Sequence, residues 1–257
     1  MKNEYKVFNE SKKEDQLESA LDLIKFSTDL NIDVPPKNWD ANQAFKIALE
    51  KIHVDLVDML IRRASTLNIT VPPINWNGNE ALQNALKNNQ SDFIHMLINH
   101  ATTLNIQIPP KDLNCNHAFI DACKEGQSRF TEVLIEHSAK LGIDFNATDN
   151  GWTAFQLACW NGHTSVVEQL LVFAQANKED LDVNAKDNDG RTAFHWACYR
   201  GRTSVVEQLL AFSQAHPENL DLTIKNDDGK TGFQYAKIFN KPGVVNLIKN
   251  RMPSLVI

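Results

Sequence analysis

The sequence predicts an all-α solenoid of stacked helix–turn–helix repeats, and two observations carry that reading. The phrase TAFQLACWNG at Thr153–Gly162 returns as TAFHWACYRG at Thr192–Gly201 and, altered, as TGFQYAKIFN at Thr231–Asn240. Apolar anchors recur with it at Phe45, Leu82, Phe119, Phe155, Phe194 and Phe233, spaced 36 to 39 residues apart. A unit of that length cannot bury its own apolar face, so neighbouring units must stack.

Within each unit the residue types define two helices. A small residue precedes each anchor (Ala44, Ala81, Ala118, Ala154, Ala193, Gly232), and alanine follows it three positions later (Ala48, Ala85, Ala122, Ala158, Ala197, Ala236). Small residues at helical spacing let an inner helix approach its neighbours closely. Fifteen residues past the anchor a second aliphatic recurs (Leu60, Leu97, Leu134, Leu170, Leu209, Ile248), which places a longer outer helix after a turn. Gly190 and Gly201 suit turn conformations closed to other residues, and Thr192 suits the N-cap of an inner helix.

The three C-terminal units resemble ankyrin repeats. The run from Asp187 to Ala197 matches the D-x-x-G-x-T-P-L-H-x-A phrase, with alanine for proline and phenylalanine for leucine. Gly162-His163 matches the interhelical turn, and Val166-Val167-Glu168-Gln169-Leu170-Leu171 matches the V-V-x-x-L-L of the second helix. The resemblance is clear over residues 142–250 and divergent over 1–141. It implies an ankyrin-type solenoid of about seven repeats with short hairpin or extended fingers.

Residues 31–141 depart from the pattern in the fingers, where Val34-Pro35-Pro36, Val71-Pro72-Pro73 and Ile108-Pro109-Pro110 recur, followed by Trp39, Trp76 or Leu113. Proline pairs remove backbone donors, so an extended polyproline-like loop is expected there in place of a hairpin. Trp39 and Trp76 either form an exposed patch or pack beneath the prolines. One further period back, Phe8 falls under Phe45 and Leu23 under Leu60. We therefore expect a single domain over 1–257. It comprises a degenerate N-terminal capping repeat (1–30), three divergent repeats with Pro-Pro fingers (31–141), two consensus-like repeats (142–220), and a C-terminal capping repeat and tail (221–257). The units exceed the usual ankyrin length, and the excess is expected to lengthen the outer helix or its following loop.

A net charge of −6 argues against nucleic acid or an anionic membrane surface as the main partner. No stretch reads as a signal peptide or approaches the roughly 18 apolar residues of a membrane span, so a cytoplasmic or nuclear location is expected. Cys123, Cys159 and Cys198 occupy equivalent positions in successive units. Stacked helices lie about 8–10 Å apart, beyond the roughly 7 Å a disulfide tolerates, so these thiols are expected as small buried fillers. Gly229-Lys230-Thr231 lacks the upstream glycine of a phosphate loop, since Ile224 stands there. Asp187-Asn188-Asp189-Gly190 lacks the first and last ligands of a calcium loop, since Ala185 and Trp196 stand there. His195 is expected to orient the turn by hydrogen bonding. No catalytic, cofactor or metal site is expected.

The resemblance implies a concave groove, formed between the fingers and the ends of the inner helices. Carried over residue by residue, its candidate partner-binding positions are Trp152, Trp160 and Asn161, then Arg191, Tyr199 and Arg200, then Lys230 and Phe239, with Ile238 beside the last. The matching positions of earlier units (Glu50, Lys51, Lys87, Asn88, Lys124, Glu125) carry no aromatic residue and are merely charged but for Asn88. Tryptophan, tyrosine and arginine dominate energetic hot spots, which favours a docking surface. The alternative is that Trp160 and Tyr199 lean over the next inner helix and close the groove floor. Trp196 is assigned to the core. The expected function is a monomeric, non-enzymatic scaffold or adaptor holding a protein partner. Alternatives are a dedicated inhibitor of an enzyme or transcription factor, or a substrate receptor or substrate of a modifying enzyme, for which Asn184 resembles asparagines hydroxylated in other ankyrin repeats. The tail Met252–Ile257 is expected to fold back over the last repeat, with docking into a partner's sheet edge as the weaker reading.

Overall fold

Thr153, Thr192 and Thr231 each start a helix with an extended backbone, and each is followed three residues later by a side chain that reaches back to it. Such reciprocal caps satisfy donors that a helix N-terminus otherwise leaves orphaned, which is why the recurring phrase begins with threonine. These helices belong to a computed structural model that describes residues 41–109 and 114–256. The expected capping repeat at 1–30, the Val34-Pro35-Pro36 finger, Trp39, Leu113 and the terminal carboxylate of Ile257 lie outside the described residues.

Fourteen α-helices are present among the described residues, together with one 3-10 helix and one two-stranded pair. The inner helices are α1 (Ala41–Glu50), α4 (Gly78–Lys87), α6 (Cys115–Glu125), α9 (Ala154–Asn161), α11 (Ala193–Arg200) and α13 (Gly232–Ile238). Their outer partners are α2 (Val54–Arg62), α5 (Ser91–Asn99), α7 (Ser128–Glu136), α10 (Thr164–Ala176), α12 (Thr203–Ala215) and α14 (Pro242–Arg251). The excess length takes two forms. In the consensus-like units the outer helix extends to 13 residues. In two earlier units a 9-residue outer helix is followed by a separate four-residue helix, α3 (Ala64–Leu67) or α8 (Ser138–Leu141).

The described residues fall into two compact units, one within 1–85 and 92–107, the other within 86–91 and 108–257. In the first, α1 packs on α2 through Phe45, Ala48, Leu49, Leu56 and Leu60, all essentially inaccessible. In the second, inner helices α6, α9, α11 and α13 pack side by side in sequence order. The anchors Phe119, Phe155, Phe194 and Phe233 are buried among the alanines and Cys123, Cys159 and Cys198. Burial pushes the Cys123 thiol up to about 12 and raises Cys159 and Cys198 as well, so these sulfurs are protonated fillers. Cys115, also free and buried, lies at the start of α6.

The fingers differ for local reasons. Thr148–Asp149 pairs antiparallel with Trp152–Thr153 across Asn150-Gly151. Both loop residues have positive φ (51° and 82°), which Asn-Gly tolerates and a two-residue hairpin loop requires. The next two fingers have three-residue loops bridged by Asp187 N–H to Arg191 C=O and Asn226 N–H to Lys230 C=O, both 2.9 Å, and tightened by Gly190 N–H to Asp187 C=O and Gly229 N–H to Asn226 C=O. The Val71-Pro72-Pro73 finger is not the extended polyproline segment expected. It bends at Val71-Pro72 and closes a turn, with Trp76 N–H donating to Pro73 C=O at 3.1 Å. Trp76 is half-buried, with its ring beside Gly78.

Asparagines tie each repeat to the loop that leads into the next, Asn42, Asn79 and Asn116 from the starts of inner helices and Asn146 and Asn184 from loops. Asn42 Oδ1 accepts from Thr70 N–H and Asn79 Oδ1 from Gln107 N–H in the first unit. Asn116, Asn146 and Asn184 accept from the backbones of Asp144, Asp182 and Asp221 in the second. Asn184 is held at both ends, since its Nδ2 also donates to Asn219 C=O at 2.7 Å. At the C-terminus the 3-10 helix Pro253–Leu255 turns back against α14 and buries Leu255, as expected for a tail that closes the last repeat.

Candidate protein-interaction surface

The residue just before the N-cap threonine points forward into the next repeat at Trp152 and at Arg191. Trp152 stacks on Trp196 with ring centroids 4.3 Å apart and 25° between planes. One unit later Arg191 donates through Nε to the hydroxyl of Tyr235 at 3.1 Å, and its guanidinium also lies over the Trp196 ring. Trp196 and Tyr235 occupy equivalent positions of α11 and α13, so one packing rule serves two chemistries. Lys230 is the third member of this series and its side chain is exposed.

Finger and ring are also matched in hydrogen-bond polarity. Asp187 accepts from the backbone N–H groups of Asp189 and Arg191 through Oδ1, and from Trp196 Nε1–H through Oδ2 at 3.0 Å. Asn226 repeats the arrangement with roles changed, its Oδ1 accepting from Lys230 N–H and its Nδ2 donating to Tyr235 Oη at 3.0 Å. An indole needs an acceptor and this phenol hydroxyl takes a donor, so the acid accompanies tryptophan and the amide accompanies tyrosine.

At the other end of the inner helices the rings form a continuous surface across three repeats. Trp160 stacks on Tyr199 at 5.5 Å and meets Trp196 edge-on at 4.8 Å. Tyr199 meets Phe239 at 4.4 Å, and Trp152 contacts Trp160 at 5.4 Å. Arg200 lies over Trp160, 4.6 Å from its centroid. Offset and edge-to-face pairs of this kind contribute about 0.5–1.5 kcal/mol each beyond burial. Glycines bring the chain out of these helices, Gly162 and Gly201 holding φ of 86° and 72°.

Every candidate position except Asn161 and Lys230 is thus part of one connected cluster. Trp152, Trp160, Arg191 and Tyr199 are half-buried, and Arg200 and Phe239 are exposed. Asn161 serves the scaffold, its Nδ2 donating to Lys124 C=O of the preceding inner helix at 2.9 Å. Trp196 is buried, as expected for core, yet it is the ring on which Trp152, Trp160 and Tyr199 converge. Trp160 and Tyr199 do lean across repeat boundaries, as the floor-closing alternative required, and each retains open surface. The surface ends in Ile238 and Phe239, 57% and 43% exposed. Tyr235 was not singled out from sequence, although it occupies the same register position as Trp196.

His195 is a positioning group. Thr192 N–H donates to Nδ1 at 3.1 Å, so Nε2 carries the hydrogen and donates to Lys230 C=O at 2.9 Å. Burial lowers its pKa below the ordinary value, against a smaller opposing effect of the Lys230 carbonyl. Gln156 makes the same two-way connection in the preceding repeat, accepting from Thr153 N–H and donating to the carbonyls of Ala185 and Arg191.

Residues 102–187 and 173–253 match the family model for ankyrin repeats (3 copies). The match covers more than half of the 257 residues, and the chain belongs to the ankyrin-repeat family. No curated protein matches the sequence. Membership implies a generic protein–protein interaction module. No helix among the described residues is long and apolar enough to cross a membrane.

Proposed function

We propose that this chain is a non-enzymatic interaction module that holds a protein partner on the aromatic surface of its C-terminal repeats. The observation that carries the reading is the continuity of the surface: Trp152, Trp160, Trp196, Tyr199 and Phe239 touch in series and end in exposed Ile238 and Phe239. Folding requires the anchors beneath to be apolar. It does not require aromatic side chains at helix ends, where the first unit carries Glu50 and Lys51. Rigid rings with part of their surface open bury large area at low entropic cost, and such residues dominate binding energy. The test is capture from lysate with wild-type protein and with a folded Trp160→Ala, Tyr199→Ala, Arg200→Glu variant, compared by quantitative mass spectrometry. The proposal requires a partner recovered by the first and lost by the second; identical recovery overturns it.

A further inference from the structure

The charge at the ends of the inner helices is one-sided. The last turns of α6, α9, α11 and α13 and the turns after them (124–127, 160–163, 199–202, 237–241) carry Lys124, Arg200, Arg202, Lys237 and Lys241, against Glu125 alone. This concentration of cations sits on a chain of net charge −6. Lys124, Arg200 and Lys237 lie in the last turns of their inner helices, where the dipole is negative and tolerates them without carboxylates; Arg202 and Lys241 stand at the N-caps of the following outer helices. Among the described residues none of Lys124, Arg200 and Lys237 pairs with a carboxylate, in contrast to Arg129, Arg191 and Arg251.

Arg200 shows how this charge is presented. Its guanidinium lies over Trp160, which holds the cation beside the aromatic surface, and the N–H groups around its rim are not spent on any acid among the described residues. A stacked guanidinium with an open edge is suited to bidentate recognition of a carboxylate. Arg202 is placed differently, with Nε bonded to Trp160 C=O, and fixes the turn that carries the row. Past the N-terminal ends of the same helices, about 12 Å along the eight-residue α9 and α11, the fingers carry Asp149, Asp189, Asp227 and Asp228 next to Lys186, Arg191, Lys225 and Lys230, with Asp189 paired to Arg191. The finger charges are thus mixed, whereas the helix ends carry cations in excess, so it is at the helix ends that localised carboxylates are attracted.

From this complementarity, and resting on the interaction reading above, we infer that the surface takes an acidic peptide segment. One large apolar side chain seats against Tyr199, Ile238 and Phe239, and flanking aspartates or glutamates meet Arg200, Lys237 and Lys241. The apolar anchor supplies affinity; the carboxylates set orientation and partner choice.

The test is selection of a displayed library of random peptides of about 12 residues on the immobilised full-length chain, followed by affinity measurement of the winners. The inference predicts winners with Asp or Glu flanking a single aromatic or aliphatic residue, lost with Phe239→Ala or Trp160→Ala. It also predicts a drop of at least about tenfold with Arg200→Glu and weakening as salt rises. Both Phe239 and Arg200 are exposed and lie outside the buried anchors, and each variant is scored for binding only after its urea unfolding midpoint shows it folded. Winners that need Phe239 but lack acidic enrichment overturn the inference and leave the interaction surface standing. Winners indifferent to Phe239 and Trp160 overturn both. Binding of a single-stranded oligouridine probe with the same dependence on Arg200 and Phe239 overturns the inference in favour of nucleic acid.

Discussion

The carboxylate of Asp187 accepts the indole N–H of Trp196 at 3.0 Å, and it is the same carboxylate that closes the finger turn. Trp196 supports Trp152, Trp160 and Tyr199, so the finger and the aromatic surface are fixed by one side chain. In the following repeat Asn226 and Tyr235 stand in the same two places with donor and acceptor exchanged.

Replacing Asp187 by Asn is therefore expected to cost about 1–3 kcal/mol, because an amide that keeps the turn bonds sets its NH2 against the indole N–H. Combining it with Trp196→Tyr recreates the Asn226–Tyr235 pairing. A double-mutant cycle in urea should return a favourable coupling of about 0.5–3 kcal/mol; additive losses would show that the pair does not interact as described.

His195 predicts a pH dependence of defined sign. Its folded-state pKa is depressed by burial from the ordinary 6.5, and protonating Nδ1 sets a hydrogen against Thr192 N–H. The unfolded chain takes up the proton more readily, so this contribution to stability is fully present above about 6.5 and is lost as pH falls from there towards the folded-state value. Gln156 and Gln234 occupy the equivalent positions, each accepting from its cap threonine N–H. His195→Gln should therefore keep its stability at pH 7.5 and show a shallower decline between pH 7 and 5 in equilibrium unfolding. A decline as steep as the wild type's would refute the assignment.

Gly232 occupies a position where Ala154 and Ala193 stand in the preceding repeats, which makes Gly232→Ala look like a repair. The space is not there: a Cβ would lie 2.5 Å from Cδ1 of the buried Phe194 ring. Overpacking outweighs the helix propensity gained, and a net loss of about 1–2 kcal/mol is expected in thermal or urea unfolding. A stabilised variant would contradict this packing.

Gly201 holds φ of 72° after α11, and a side chain there also meets the stem of Lys241. Gly201→Val combines left-handed strain with β-branching and should cost about 1–3 kcal/mol. Because each repeat is supported mainly by its neighbours, amide exchange should accelerate first in α11 to α14. Uniform acceleration across all repeats would show that the stack unfolds as one block.

The helices were legible in sequence because their causes are local and periodic. The threonine caps, the small–aromatic–alanine spacing and the αL glycines each act within one repeat. The finger at Val71-Pro72-Pro73 departs from the extended loop expected because missing donors exclude a hairpin without specifying what replaces it, and the side chains of Trp76 and Ile106 meet at Gly78 in a way no local pattern encodes. The site was half legible. Register alone put Trp160, Tyr199, Arg200 and Phe239 at helix ends, but the convergence of three rings on Trp196 joins residues from neighbouring repeats whose rotamers no single-repeat pattern fixes. Asn161 illustrates the converse, a groove position by register whose amide is spent on the carbonyl of Lys124.

The central claim is that the aromatic surface, and not the outer helices, contacts the partner. The most direct measurement places a photo-crosslinking benzoylphenylalanine at Phe239 and, separately, at Val172, an outer-helix residue that is 63% exposed. After irradiation in lysate, the account predicts a discrete covalent adduct from position 239 and none from 172. An adduct from 172 alone, or adducts of the same partner from both, would contradict it.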